Sequence, residues 1–468
     1  MRSIFNNISA LLAATFFVQA SNAAITTMIG IVTAESGGSQ GDVAIISSLY
    51  SAGFLAGCFV SPSQIQRLGF IRAFSAAAAI LTITVILLEM VDGVASWAFL
   101  RFSMGASMAA ILAIADGWIN IRTPNASRGR VIAIYSIVIG LASVLSQVVF
   151  LVMDADSENF VLIFAVAMNI AVVLVAITSA QAPVTQIKKR KSWRSLTSTS
   201  ITANVASFTS GFMATSFVAI VPFYLTKNGL DDALVATTMI VIYLGRLSFQ
   251  WPIGLMSDRL GRRTVLIVLC AGVGLWCILS ILFSPGEGAI LKGLEGQFML
   301  WASLVGLFCL GGLMWPIYSV ASALAFDRAD EDNLIDVSIT LLVVNTIGAI
   351  VGPLLILSLA DYLGANTLPI VMLVVSALTI SVAFFRSATV EEPSKPKATA
   401  IPIPVSSIEM AQMAAETVSD ELEEIAEEIA EEVAEEVANE IADEIAEEEI
   451  AEEIANLDQI ASDRARKK

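Results

Sequence analysis

The chain has 468 residues, of which 56% are hydrophobic and only 15% are charged, and its mean hydropathy is +0.78. Soluble domains carry about 25% charged residues, so this composition excludes an ordinary soluble protein and indicates a membrane protein. The formal net charge of −17 does not describe the apolar part of the chain, because most of the excess acidic residues lie after position 390.

Apolar windows long enough to cross a bilayer recur through the first 390 positions. A spanning helix needs roughly 20 mostly apolar residues. The first window resembles a secretory signal, but its apolar run continues to Val32 with no soluble domain after it, so we favour a retained helix. We predict an all-α polytopic membrane protein with twelve spans, at 8–33, 43–61, 73–91, 96–119, 130–153, 159–180, 199–224, 233–254, 264–284, 298–325, 335–360 and 367–386.

Basic residues predict the orientation, because they collect on the cytoplasmic side of a membrane. With both termini cytoplasmic, the inner connections hold nearly all of the loop arginines and lysines, whereas the outer connections hold only Lys227 and Lys292. We therefore predict a multi-pass protein of the cell membrane, in bacteria the inner membrane. The chain has no histidine, and its four cysteines all fall inside predicted spans. We expect neither a metal site nor a catalytic centre.

Two similar hairpins indicate an internal repeat. QRLGFIRAF at 66–74 is followed 192 positions later by DRLGRRTVL at 258–266, and Asp116 and Asp327 lie at corresponding inner span ends. This repeat predicts two pseudo-symmetric six-helix bundles. The predicted domain boundaries are 1–180 and 199–388 for the two bundles, 181–198 for a basic cytoplasmic linker between them, and 389–468 for an acidic tail.

The second hairpin carries a complete family motif. GLMSDRLGRR at 254–263 resembles the G-x-x-x-D-R-x-G-R-R loop of major facilitator superfamily transporters, and Arg101 with Gly105 resembles the R-x-x-x-G of their fourth helix. In the first hairpin, Gln66 replaces the acid. QWPIG at 250–254 is similar to the corresponding segment in a prokaryotic branch of this superfamily whose substrates are poorly defined. The resemblance implies the twelve-helix fold of the superfamily and secondary transport by alternating access.

The resemblance also implies a cytoplasmic gate. It places the Asp258 carboxylate near the start of span five, across the interface between the halves, where helix-terminal amides favour an anion. Arg262 or Arg263 would then pair with Asp327. The alternative is that these arginines only fix the topology and meet lipid phosphates. The predicted gate comprises Gly254, Asp258, Arg259, Gly261, Arg262, Arg263 and Asp327.

Two arginines fall within predicted spans, where an arginine costs at least ~2.5–3.5 kcal/mol. Each arginine should face the interior of the bundle and contact a partner or a ligand. The alternative is that each pairs with backbone carbonyls, or that Arg101 snorkels toward the membrane surface. Other polar residues in the spans are singly more often helix-packing contacts than ligand contacts. The candidates for a substrate cavity are Arg101, Arg246, Gln19, Asn22, Tyr243, Trp315 and Asn345.

Carboxylates are scarce in the predicted spans, and Asp116 is the best titratable candidate for coupling. Coupling to protons or sodium therefore stays open, and we expect no cofactor. The expected partners are membrane lipids and a small-molecule substrate, either a polar or anionic metabolite or an exported organic compound, and no nucleic acid. The alternative function is a transporter-like receptor or scaffold without transport activity.

The acidic tail at 389–468 is a Pro-rich stretch followed by EEIA and EEVA repeats. Its isoleucines and valines recur every four residues, which drifts around a helix and does not fit a heptad coiled coil. We predict a low-complexity cytoplasmic segment, helical or disordered. Binding of a protein partner, or self-association, is the other interpretation.

Overall fold

The computed structural model describes residues 2–122, 125–157, 159–177, 200–282, 297–328 and 334–387. These residues are almost entirely helical and belong to one compact unit, and no strand occurs among them. The predicted linker at 181–198 and the predicted tail at 389–468 lie outside the described residues, so the predictions for them stay predictions.

Thirteen α-helices make up the described part of the chain. In order they are α1 (Arg2–Glu35), α2 (Gln40–Leu68), α3 (Phe70–Met90), α4 (Val94–Arg122), α5 (Asn125–Gln147), α6 (Phe160–Ala176), α7 (Ile201–Lys227), α8 (Asp232–Leu260), α9 (Arg262–Leu282), α10 (Gln297–Met314), α11 (Pro316–Phe326), α12 (Leu334–Leu363) and α13 (Thr367–Ser387).

The helices match the predicted spans with two local differences. Eleven spans are long and apolar enough to cross a membrane, and the sixth, Phe160–Ala176, is shorter. The predicted tenth span is divided into α10 and α11 at Trp315, because Pro316 has no N–H with which to continue the helix. The predicted fifth span leaves the α-helix at Gln147 and finishes as a short 3₁₀ turn at Val148–Leu151. The fold is nevertheless the predicted twelve-span all-α arrangement.

Corresponding helices in the two halves begin and end in the same way. The Ser39 side chain caps the start of α2, and the Asp231 side chain caps the start of α8, 192 positions later. After these helices Gly69 and Gly261 turn the chain with φ of 77° and 89°, which disfavours any residue with a side chain. The same register of caps and turns shows that the repeat in the sequence is a repeat of structure.

The packing within each half follows the same scheme. In the first half α2 packs on α4, α1 on α5 and α6, and α3 on α4 and α6. In the second half α8 packs on α10, α7 on α12 and α13, and α9 on α10 and α13. The halves meet along α1 with α7, α2 with α12, and α5 with α8. This arrangement encloses a space between the two halves.

Glycines bring the paired helices together. A side chain on Gly105 in α4 would overlap the Tyr50 carbonyl oxygen of α2, and one on Gly311 in α10 would overlap the Ile242 carbonyl oxygen of α8. Such close backbone approach is how helices gain van der Waals contact in lipid, where burial from water provides no drive. The glycine of the R-x-x-x-G motif therefore has a packing role at the interface of α2 and α4.

Candidate functional site

Two adjoining cavities of about 300 and 210 Å³ lie between the halves. Both are lined by α1 and α2 of the first half and by α7, α8 and Trp315 of the second half. Polar side chains are unusual inside a membrane-spanning bundle, because each polar group left without a hydrogen bond there costs several kcal/mol. A polar space at the seam between two similar bundles is the best candidate for a binding site.

Arg101 is buried in the wall of the smaller cavity, with a relative exposure of 2%. Its guanidinium carbon lies 4.1 Å from the Tyr50 ring centroid, and its Nη2 donates a hydrogen bond of 3.3 Å to the Thr26 hydroxyl. The arginine therefore faces the interior and does not snorkel. Stacking on an aromatic ring contributes only about 0.5–2 kcal/mol, less than the desolvation of a guanidinium costs.

Arg246 lies at the middle of α8 and lines both cavities. Its guanidinium carbon is 5.3 Å from the Trp315 ring centroid, and Trp315 in turn packs against Tyr243 with ring centroids 6.1 Å apart. Each half thus contributes one arginine stacked on one aromatic ring. Among the described residues that line the cavities, none is an aspartate or a glutamate.

The structure brings all seven predicted cavity residues into the cavity walls. Gln19, Asn22, Arg246, Trp315 and Asn345 line the larger cavity, and Arg101 and Tyr243 line the smaller one. Their role in binding stays a prediction. Sequence reasoning missed further wall residues, because hydroxyl and amide side chains of this kind occur in many packed spans; these include Tyr50, Ser51, Thr26, Thr215 and Gln250.

At the predicted outer end of the cavity, several contacts join the two halves. Gly30 of α1 packs directly on Pro222 of α7, since a side chain there would come within 2.9 Å of it. The Ser48 hydroxyl donates a 2.8 Å hydrogen bond to the Ile350 carbonyl oxygen, and the Asp232 carboxylate accepts one of 2.7 Å from the Ala155 amide. Toward the other end a small apolar cluster joins α2 and α4 to α12.

At the motif hairpin Arg262 contacts two carboxylates. Its Nε lies 3.0 Å from an Asp327 oxygen, and its Nη1 lies 2.5 Å from an Asp258 oxygen. All three residues belong to the second half, where they join the ends of α8, α9 and α11. The predicted pairing of Arg262 with Asp327 is therefore present, but it lies within the second half and does not itself join the two halves.

The remaining gate and coupling residues are placed as follows. Gly261 makes the positive-φ turn of the hairpin, Gly254 lies in the last turns of α8, and Arg259 is exposed while Arg263 is buried. Asp116 is buried beside Tyr135 and is not among the cavity-lining residues. The side chains at 120–130 are not described, so the predicted approach of Asp258 to the start of α5 stays a prediction.

Solved structures define the class of protein to which this fold belongs. A mutant of the nucleoside transporter NupG is similar with a TM-score of 0.65 at 12% identity, covering 82% of this chain and 99% of that one. A bacterial homologue of the human lysosomal transporter Spinster, in an inward-facing and occupied conformation, is similar with a TM-score of 0.61 at 14% identity, covering 82% and 96%. The chain has the fold of polytopic membrane transporters.

The family follows from sequence. The model of the Major Facilitator Superfamily matches residues 11–338 and 203–418, so the chain belongs to this superfamily. An uncharacterised MFS-type transporter of Enterobacter sp. (strain 638) is 27% identical, covering 71% of this chain and 83% of the relative. The uncharacterised MFS-type transporter YcaD of Escherichia fergusonii is 26% identical, covering 76% and 89%. The protein is thus a multi-pass membrane protein similar to a poorly characterised prokaryotic branch.

Proposed function

We propose that the protein is a secondary active transporter that moves a small polar solute through the central cavity by alternating access. The observation that carries this proposal is the polar cavity at the seam between two similar halves, with hydrogen bonds that join the halves at one end. Rocking the halves about the cavity would break these contacts and expose the same residues to the other side.

The proposal includes the orientation and the membrane. Both termini lie in the cytoplasm and the protein resides in the bacterial inner membrane, because the basic loops 66–72 and 258–263 lie at one end of the bundle. The contacts of Ser48 with Ile350 and of Asp232 with Ala155 then lie at the outer end. Coupling to protons or sodium stays open, since Asp116 lies apart from the cavity walls.

Cross-linking the outer seam tests the proposal. In a variant whose four cysteines are replaced by alanine, Ser48→Cys and Ile350→Cys are joined by a reducible bifunctional thiol reagent. Solute entry into proteoliposomes is followed by osmotic swelling with a panel of sugars, amino acids and organic acids. Cross-linking should abolish the swelling, and reduction should restore it. The two single-cysteine variants, treated in the same way, are the controls.

Two outcomes contradict the proposal. Undiminished swelling in fully cross-linked protein would show that the outer seam does not need to open. Absence of protein-dependent swelling for every solute, with folded protein in the membrane, would favour the receptor or scaffold.

A further inference from the structure

Arg101 has hydrogen-bond donors without acceptors. A guanidinium offers five N–H donors in a fixed fork. In the described part of the chain Nη2 is bonded to Thr26, whereas Nε and Nη1 are buried and have no hydrogen-bond partner. A buried charged donor without an acceptor is costly. The Arg101 guanidinium at the wall of the smaller cavity therefore has two nitrogens that could donate to an anionic ligand.

Arg246 lies on the opposite wall and is partly buried. It forms no ion pair with any residue that the structure describes, and Trp315 stacks against it without offering an oxygen acceptor. Because Arg246 lines both cavities and Arg101 the smaller one, both charges act on one continuous site. One comes from α4 in the first half and the other from α8 in the second.

The net charge of the cavity walls indicates the charge of the ligand. Two guanidinium groups line the cavities, and the described lining residues include no carboxylate to offset them. In a cleft whose walls carry one sign of charge, uncompensated charges attract an incoming ion of opposite charge more strongly than they would on a flat surface. The site favours an anion and disfavours a cation.

The aromatic rings and the volume of the cavity narrow the class of ligand. Tyr50 and Trp315 each stack one face against an arginine and line both cavities, so the part of each ring that lies toward the cavity can contact a planar apolar group. A volume of about 300 Å³ is at the lower end of the range for small-molecule sites. The ligand that fits is a small molecule with one anionic end and one planar end.

We propose that the solute is a small organic anion whose carboxylate or phosphate oxygens accept hydrogen bonds from Arg101 and Arg246, and whose planar part stacks on Tyr50 or Trp315. This inference rests on the proposed transport function and names its substrate class. Guanidinium forks bind both kinds of oxyanion in bidentate fashion. An anion held by one arginine from each half would also draw the halves together, as occlusion of a substrate requires.

Ligand binding to the full chain in detergent tests the proposal. The probes are benzoate, phenyl phosphate and the neutral benzamide, measured by thermal shift and by calorimetry at fixed ionic strength. Benzoate or phenyl phosphate should raise the melting temperature. The anion that binds more tightly shows whether the site prefers a carboxylate or a phosphate. Benzamide, which has nearly the same shape as benzoate but no charge, should bind at least tenfold more weakly.

Matched variants assign the binding to the two arginines. Arg101→Gln and Arg246→Gln should each lower the anion affinity at least tenfold. Gln250→Glu, which adds a carboxylate to the cavity wall one turn from Arg246, should do the same without removing an arginine. Arg72→Gln, an exposed arginine at the start of α3, is the control and should leave the affinity unchanged. If Arg101→Gln does not fold, Arg101→Lys replaces it, keeping the charge but losing the fork.

Three results would overturn the inference: benzamide binding as well as benzoate, unchanged anion affinity in both arginine variants, or no binding by either anion. Failure of transport is distinguishable from failure of this inference. Anion binding that needs both arginines, in protein with no solute flux, leaves the anion site standing and refutes transport. Flux of neutral solutes that is insensitive to the arginine variants leaves transport standing and refutes the anion site.

Discussion

At the scale of single residues, the cluster around Arg262 shows how burial determines the strength of an ion pair. The side chains of Arg262 and Asp327 are 3% and 5% exposed, whereas that of Asp258 is 24% exposed. Removing one partner of a buried pair costs about 3–5 kcal/mol when the remaining charge has no other partner. After loss of Asp327 the Arg262 guanidinium keeps only the partly exposed Asp258 carboxylate, so the cost should lie at the lower end of this range. A partly exposed pair is screened by water and contributes about 0–1 kcal/mol. The two carboxylates of the motif cluster should therefore differ in their effect on stability.

Asp327→Asn should lower the free energy of unfolding by about 3 kcal/mol, and Asp258→Asn by about 1 kcal/mol or less. The two variants change the same chemical group and differ mainly in burial, so each serves as the control for the other. Reversible denaturant unfolding in one detergent measures both. Equal losses would contradict the argument that burial makes the contact of Arg262 with Asp327 the more stabilising of the two.

At the scale of elements, close helix pairs depend on glycine at the points of contact. Gly105 holds α4 against the α2 backbone, where there is no room for a Cβ atom. By contrast, a Cβ on Gly274 in α9 would make an ordinary contact of 3.4 Å with the end of the Leu373 side chain. Both glycines lie in the middle of spanning helices, so alanine should improve helix propensity equally at each. Any difference between the two alanine variants therefore reports on packing.

Gly105→Ala should therefore destabilise the protein by about 1–3 kcal/mol through overpacking, whereas Gly274→Ala should be neutral or slightly stabilising because alanine favours the helix. Thermal unfolding followed by the change in tryptophan fluorescence measures both. Similar melting temperatures for the two variants would contradict the close approach of α2 and α4.

Some elements could be predicted from the sequence for physical reasons, and others could not. The two hairpins were predictable because charged residues and a glycine between two apolar runs require a tight loop outside the lipid. Arg101 and Arg246 were predictable as interior residues because a charge in lipid is costly. The break at Trp315 was not, since Pro316 lies inside a continuous apolar window. The wall position of Tyr50 depends on how helices turn toward the cavity, which needs the three-dimensional packing.

At the scale of the whole molecule, the two halves repeat one design and meet around the cavity. The halves meet along three helix pairs, α1 with α7, α2 with α12 and α5 with α8, and at the predicted outer end they also share two hydrogen bonds and a glycine contact. Alternating access would require part of this interface to be exchanged for a different one while the packing within each half is kept. The proposed function therefore predicts that the molecule moves as two bodies.

Pulsed electron spin resonance distances test this two-body account most directly. One label pair replaces Ser36 and Asn228, exposed near the ends of α1 and α7; the other replaces Leu68 and Leu260, exposed at the ends of α2 and α8. In lipid, a change of ligand or pH should lengthen the first distance as it shortens the second, with two populations at each end. Single distance distributions that are the same under every condition, or changes of the same sign at both ends, would contradict alternating access by the two halves.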